Sequence, residues 1–340
     1  MRAAIFDADL QHVTIEAIAM PRPGPDSLLV KVYRCGICGS DVAMTSDVPF
    51  KFPTGQFGHE YSGEVLEVGA NVRTHAPGDK IAVVPVAGCG NCESCRRGNW
   101  LLCAAPAGAM FGFGEYAVIP SKVAIPLPSS LSFVDGALVE PMACGLHAIR
   151  LAGLEPGARV LIIGAGAMAL SAIFWARQLG AGRIAVLSRS AHRRDIAMSM
   201  GADAVFSFDP DDQARVHEFL RGRADVVAEC VGKSGMLALA ADQVRPSGTV
   251  LAMGMCMKPE SILPARFNFG EIRLLFPMGY TTEEFTATVR AFDAGRVNPE
   301  SMVSDVISLD DLPQRLQAMR AGNGGGLKVQ VDLTKGAERS

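Results

Sequence analysis

The stretch from Arg159 to Gln178 constrains the fold more than any other. An apolar run, RVLIIG, passes directly into Gly164-Ala165-Gly166-Ala167-Met168-Ala169 and then into a stretch with helical spacing, ALSAIFWARQLG. A strand without polar alternation is covered on both faces, which requires helices packed above and below its sheet. The pattern recurs in RIAVLS, ADVVAEC, GTVLAMG and IRLLFPMG, with AHRRDIAMSMG as a further intervening helix. Apolar strands alternating with helices from 142 to 280 predict a doubly wound parallel sheet. The turn itself reads G-x-G-x-x-A. Gly164 and Gly166 allow a tight turn and a close approach of backbone to a pyrophosphate, which then rests on the free N–H groups of Ala167 and Met168. Such a string is common by itself, and a turn without a ligand is its alternative. The strand before it and the helix after it are the context that favours a dinucleotide.

The same unit carries information about which dinucleotide. At the end of the second strand, 24 residues after Gly164, an NAD site places an acid on the ribose hydroxyls, but this chain has Ser188-Arg189 followed by His192-Arg193-Arg194. A hydroxyl and guanidinium groups suit a 2′-phosphate through charge-assisted hydrogen bonds. The expectation is therefore NADP(H), held by Ser188, Arg189 and Arg193. The alternative is a solvated arginine face, which leaves the missing acid unexplained.

Up to residue 140 the texture differs: SLLVKVYRCG, EYSGEVLEVG, DKIAVVPV and GEYAVIP are short β-branched runs broken by Gly and Pro. This part reads as all-β and loop-rich. Within it Cys89, Cys92, Cys95 and Cys103 are spaced C-x2-C-x2-C-x7-C in a Gly/Asn/Arg-rich stretch that offers no core to bury them. Four thiolates close the tetrahedral shell of a structural zinc; an iron-sulfur cluster would use the same ligands. Cys38, with Gly58-His59-Glu60 further on, supplies the thiolate, imidazole and carboxylate of a zinc that keeps an open position. Cys35 and Cys38 also read as C-x-x-C, a redox dithiol, but that reading leaves His59 and Glu60 without a role.

Charge and composition narrow the function classes. Among 340 residues the 32 basic and 35 acidic side chains are dispersed, so no block neutralises several phosphates and nucleic acid is not expected as a partner. Asp7 and Asp9 interrupt any secretory apolar core, and the run from Val160 to Ala176 is short for a bilayer and contains glycine, so the expectation is a cytoplasmic protein without membrane association. Nine cysteines then mean reduced thiols and metal ligands rather than disulfides. The last sixty residues contain two amphipathic helices, TEEFTATVRAFDAG and LDDLPQRLQAMRAG, and a strand, GLKVQVDL, expected to return to the first part.

In order along the chain stand GICGSD at 36–41, GHE at 58–60, the four-cysteine lobe, GALVEP at 136–141, the nucleotide turn, DVVAECVG at 225–232 and GLKVQVDL. Together they resemble the zinc-dependent medium-chain alcohol dehydrogenases, the polyol and threonine dehydrogenase branch above all, over essentially the whole length. The resemblance implies an α/β protein with a GroES-like catalytic domain at 1–141, completed by 281–340, and a Rossmann domain at 142–280, with the site in the cleft between them. It also implies a homo-oligomer, dimer or tetramer, with two zinc ions per subunit. Cys38 and His59 match the constant catalytic zinc ligands, Glu60 the adjacent carboxylate that binds or leaves the metal, and Glu140 the third-ligand position of the polyol branch. Asp41 matches the partner that orients the histidine. Ser40 matches the hydroxyl that begins the proton relay, whereas Ala43 stands where many relatives have a relay histidine.

The expected reaction is hydride transfer between a secondary alcohol or its ketone and NADP(H). The alternatives are an NAD-dependent polyol dehydrogenase and a catalytically silent NADP-binding relative; intact Cys38, His59, Glu60, Glu140 and Ser40 argue against silence, and both metal sites argue against a zinc-free quinone reductase. Phe50, Phe52, Phe57, Met110, Phe111, Phe113 and Met278 are candidates for an apolar pocket, or for core. Polyol enzymes usually carry an arginine in the stretch corresponding to 276–280, and none occurs here, which favours a less polar substrate. Cys35, Cys144, Cys230 and Cys256 are expected in apolar elements.

Overall fold

A computed structural model describes residues 1–323 and 326–335. The chain divides into two compact units, Met1–Glu140 with Thr281–Ser340, and Pro141–Tyr280. In the second unit six strands form one parallel sheet in the order Ala204–Phe206, Arg183–Leu187, Arg159–Ile163, Ala224–Glu229, Val244–Ala252, Arg273–Leu275. The chain winds outward from Arg159–Ile163 in one direction and returns to its other side at Ala224–Glu229. A crevice at the carboxyl ends of those two strands is where such a sheet binds ligands. Residues 160–163 and 184–187 are fully buried, as two-sided coverage demands.

Five of these strands agree with the apolar runs. Ala204–Phe206 was not anticipated, because three residues between Gly201 and Asp209 are too few to show a period. The segment AHRRDIAMSMG is not one helix: Ala191–Arg193 forms a single tight turn before the helix Arg194–Ser199. The long apolar run likewise divides into the strand Arg159–Ile163 and the helix Ala167–Gln178. Among the described residues no helix is long and apolar enough to cross a membrane.

The first unit is β-rich. Its main sheet places Ala124–Pro126, Lys80–Val83, Glu60–Val68, Ser27–Gly36, Lys328–Asp332 and Val303–Ser308 side by side, with Tyr116–Pro120 also paired to Ser27–Gly36. The strand from the chain's far end lies antiparallel to Ser27–Gly36, with Gln330 opposite Gly36. DKIAVVPV is interrupted at Pro85, which has no N–H for a ladder, and resumes as Val86–Ala87. Thr281 and Glu284 form a capping box that starts the helix Thr282–Asp293, and Phe285, Val289 and Phe292 bury one face of it. In the last helix, Leu312–Arg320, Pro313 occupies the first turn, so the helix begins three residues later than the amphipathic pattern.

Candidate functional site

Strand Ser27–Gly36 delivers the chain to Cys38, whose extended backbone makes it the N-cap of the short helix Gly39–Met44. Three residues on, Asp41 turns back and its Oδ2 accepts from the Cys38 N–H at 2.8 Å. Its other oxygen stands 3.2 Å from His59 Nδ1. A fully buried carboxylate facing Nδ1 fixes the ring and leaves Nε2 for a metal. Gly58 precedes the histidine with φ of +98°, and a Cβ there would press on the Phe113 ring at 2.6 Å. Glu60 opens the next strand. One ligand atom each of Cys38, His59 and Glu60 lie within 4.8 Å of one another. Burial disfavours a charged His59, but Asp41 and Cys38 outweigh it and hold its pKa well above the usual histidine range.

Lys328 completes this cluster, and sequence reasoning did not single it out. Its Nζ donates to both oxygens of Glu60 at 2.7 Å and to the Ile37 carbonyl at 3.3 Å, with both side chains buried. Burial works against the ammonium, yet Glu60 and Cys38 raise its pKa. Gly36 makes room: a Cβ there would overlap Glu60 Oε2. Glu140 is buried in the first turn of the helix Val139–Ala152, and its charge also acts on Lys328, but it is not one of the three groups within 4.8 Å. Ser40 lies half-buried in the turn after Cys38.

The four sulfurs of Cys89, Cys92, Cys95 and Cys103 lie within 4.8 Å of one another. Cys89–Cys95 and Cys92–Cys103 are each 3.9 Å apart, close to the roughly 3.8 Å that a tetrahedron with bonds of about 2.3 Å requires. Backbone N–H groups point at them: Cys89 N and Ala105 N donate to Cys103 Sγ at 3.2 and 3.3 Å. N–H groups of Ala104 and Cys95 lower Cys92 to about 6, while burial raises Cys95 to about 11. The sulfurs thus fit an ion that takes four thiolates. Cys35 is fully buried and outside both clusters.

In the second unit, Gly164 has φ of +111° and Gly166 caps the helix Ala167–Gln178 without any side-chain hydrogen bond. Ala167 and Met168 form its first turn, beside a backbone that an anion can approach. The three arginines separate. Arg193 Nη1 donates to the Ala165 carbonyl at 3.3 Å, beside the glycine turn, and burial lowers its pKa. Arg189 is exposed, and Arg194 reaches the Val205 carbonyl at 3.0 Å. Ser188 is buried at the strand end, where its Oγ accepts from Ser190 N at 3.0 Å.

The aromatic candidates divide between core and surface. Phe52, Phe57 and Phe113 are buried, with ring centroids 6.0 and 5.0 Å from Phe57 to the other two, so they are core rather than pocket. Phe50 and Met278 are exposed, and Met110 and Phe111 half-buried. Cys230 lies 3.9 Å from the Met253 sulfur, and Cys144 is half-buried in its helix. Cys256 is on a half-exposed loop, not in an apolar element, because the strand ends at Ala252.

Two family models match the chain: an alcohol dehydrogenase GroES-like domain over 24–129 and a zinc-binding dehydrogenase over 164–294. Sorbitol dehydrogenase of Ovis aries is 33% identical over 333 residues, 93% of this chain and 92% of that protein. A candidate zinc-binding dehydrogenase of Sinorhizobium meliloti 1021, solved bound to NADP, superposes with a TM-score of 0.86 at 30% identity, over 97% of this chain and 98% of that one. The 2R,3R-butanediol dehydrogenase of Bacillus subtilis gives 0.85 at 27% identity, over 97% and 99%.

Proposed function

Because the chain belongs to the zinc-dependent medium-chain alcohol dehydrogenases, in the polyol dehydrogenase-like branch, we propose that it interconverts a secondary alcohol and its ketone with NADP(H). The observation that carries this reading is the convergence of a thiolate, an imidazole and a carboxylate at Cys38, His59 and Glu60. This mixed donor set fits a zinc with an exchangeable position. Cys38 and His59 would hold that ion, with Glu60 or Glu140 as the further ligand, and Cys89, Cys92, Cys95 and Cys103 a second ion per subunit. Bound there, zinc supplies a Lewis acid that makes an alcohol hydroxyl more acidic, and the nicotinamide supplies the hydride acceptor.

The chain's own residues do the rest. Asp41 Oδ1, 3.2 Å from His59 Nδ1, favours the tautomer that carries its proton on Nδ1 and so leaves Nε2 for the ion. Lys328 holds Glu60 by both oxygens until a metal competes for them. Ser40 Oγ would accept the substrate proton, and since Ala43 has no group to carry it further, the proton would have to reach solvent by another exit. The N–H groups of Ala167 and Met168 would hold the pyrophosphate, and Ser188 and Arg189, with Arg193 assisting, the 2′-phosphate. The same reading has the enzyme working in the cytoplasm as a homo-oligomer, dimer or tetramer, on the ground of the family.

Support for NADP comes from the missing acid at Ser188 and from the NADP-bound relative. The sorbitol dehydrogenases among the relatives favour a second reading, an NAD-dependent polyol dehydrogenase. Fluorescence titration separates the two: NADPH should bind about 10- to 100-fold more tightly than NADH, the value of one charge-assisted contact. Ser188→Asp should reverse the preference. Equal affinities in the parent, or turnover of sorbitol but not of simple secondary alcohols in a substrate panel, would sink the proposal.

A further inference from the structure

The sheet reverses its winding between Arg159–Ile163 and Ala224–Glu229, so the crevice at their carboxyl ends has two walls. One is the turn at Gly164. The other is the backbone after Glu229. The two are stitched together, because Cys230 N donates to the Ile163 carbonyl at 2.9 Å, and a Cβ on Gly164 would lie 3.2 Å from Val231. At the base of the second wall Glu229 is 2% exposed. Among the described residues no cation pairs with it, although burying a lone carboxylate is costly. Its Oε1 instead accepts from Val231 N at 2.5 Å and Gly232 N at 3.0 Å, while its own carbonyl accepts from Met253 N and Gly254 N, both at 2.8 Å. Gly254 packs so closely that a Cβ there would overlap Gly232 N and meet Glu229 Oε2 at 2.7 Å. Three backbone segments therefore meet around one acid that belongs to neither metal cluster.

We propose that Glu229 is a positioning residue for the dinucleotide: by holding the amides of Val231 and Gly232 it sets the wall opposite the glycine turn, and with it the width of the crevice that takes the cofactor. This inference rests on the cofactor reading above. The wall is made of backbone, so its effect is the same for NADH and NADPH, unlike that of Ser188 or Arg189. A carboxylate serves better than an apolar side chain because two adjacent N–H groups at a strand end have no ladder partner and must be satisfied from within. Burial raises the Glu229 pKa, and the hydrogen bonds from Val231 and Gly232 lower it without cancelling that rise.

The test is titration of the intact protein with NADH and NADPH, alongside thermal unfolding. Glu229→Ala should raise both dissociation constants at least about tenfold, the factor that one unsatisfied buried amide is worth, with their ratio and the zinc content unchanged. Glu229→Gln keeps an oxygen that can accept from both amides, and should bind close to the parent. If Glu229→Ala does not fold, Gly254→Ala, which pushes on the same junction, should show the same parallel loss. Unchanged dissociation constants with a lowered melting temperature would make Glu229 merely structural and overturn the proposal. So would a glutamine variant as weak as the alanine. A parent that binds neither dinucleotide would instead refute the cofactor reading itself.

Discussion

Fifteen residues supply all four sulfurs of the lobe at 89–103, whereas the cluster at Cys38, His59 and Glu60 leans on a lysine 268 residues beyond Glu60. The lobe is closed and local. Its ligands are of one kind, its backbone N–H groups already face the sulfurs, and nothing in it leaves a place for substrate. The other cluster mixes three ligand types and ties each to a partner: Cys38 to Asp41 through its N–H, His59 to the same Asp41, Glu60 to Lys328. A uniform shell suits an ion that stays; a mixed and supported one suits an ion whose ligands exchange. Both belong to one β-rich unit, so a single protein can test whether the difference in construction is a difference in role.

The sharpest test exchanges the same chemical loss between the two centres. Cys38→Ser should lower kcat/KM by at least about 1,000-fold while the melting temperature holds, because a Lewis acid contributes several kcal/mol at about 1.4 kcal/mol per factor of ten. Cys92→Ser should do the reverse, costing about 3 kcal/mol of stability, roughly a quarter of the 10–16 kcal/mol that a structural zinc brings. Elemental analysis should find each variant lacking a different ion from a parent with two. Loss of stability in both variants, or of activity alone in both, would erase the comparison.

How much of this was legible in the sequence follows from the same contrast. The lobe could be read because C-x2-C-x2-C-x7-C puts all its ligands in one loop, and spacing in sequence is then spacing in space. The doubly wound sheet was readable because continuous apolar strands admit few other arrangements; only the three-residue edge strand at 204–206 was too short to signal. Lys328 was hidden. In GLKVQVDL it alternates with apolar residues, as Gln330 and Asp332 do, and so reads as part of a solvated strand face, and only the antiparallel pairing with Ser27–Gly36 brings it beside Glu60. Phe57 and Phe113 could be read as pocket or as core, and their burial with rings packed edge to face, centroids 5.0 Å apart, favours core. A phenylalanine two residues before a histidine, as Phe57 is before His59, does not reveal in the sequence which way its ring turns.

Lys328 also offers the second test. Removing one member of a buried ion pair costs about 3–5 kcal/mol, since the other charge is left without compensation. Lys328→Met should therefore destabilise the zinc-free protein by that amount in denaturant titrations. With zinc restored the loss should shrink, because Glu60 regains a cation, whereas the four-cysteine lobe holds no such reserve. Equal destabilisation with and without zinc would mean that Glu60 never turns toward the metal and that Glu140 alone is the carboxylate ligand.

The smallest change addresses the same carboxylate without removing any charge. Gly36 has no positive φ to protect, so alanine is tolerated by the backbone, but its Cβ would overlap Glu60 Oε2 and stand 3.3 Å from Glu60 Cβ and Cδ. The flexible end of Glu60 is what must yield, and it can do so only by loosening its two contacts with Lys328. Each charge-assisted contact is worth about 1.5–3 kcal/mol, so weakening one should cost about tenfold in kcat/KM if the position of Glu60 matters to turnover. Zinc binding by the lobe should be untouched, because the nearest atoms a Gly36 Cβ would meet all belong to Glu60. Stopped-flow comparison of Gly36→Ala with the parent reads this directly, and zinc titration distinguishes weaker metal binding from slower reaction. A variant with parental rate and zinc affinity would show that the lysine clamp on Glu60 serves the fold alone, and the mixed centre would then be as static as the lobe.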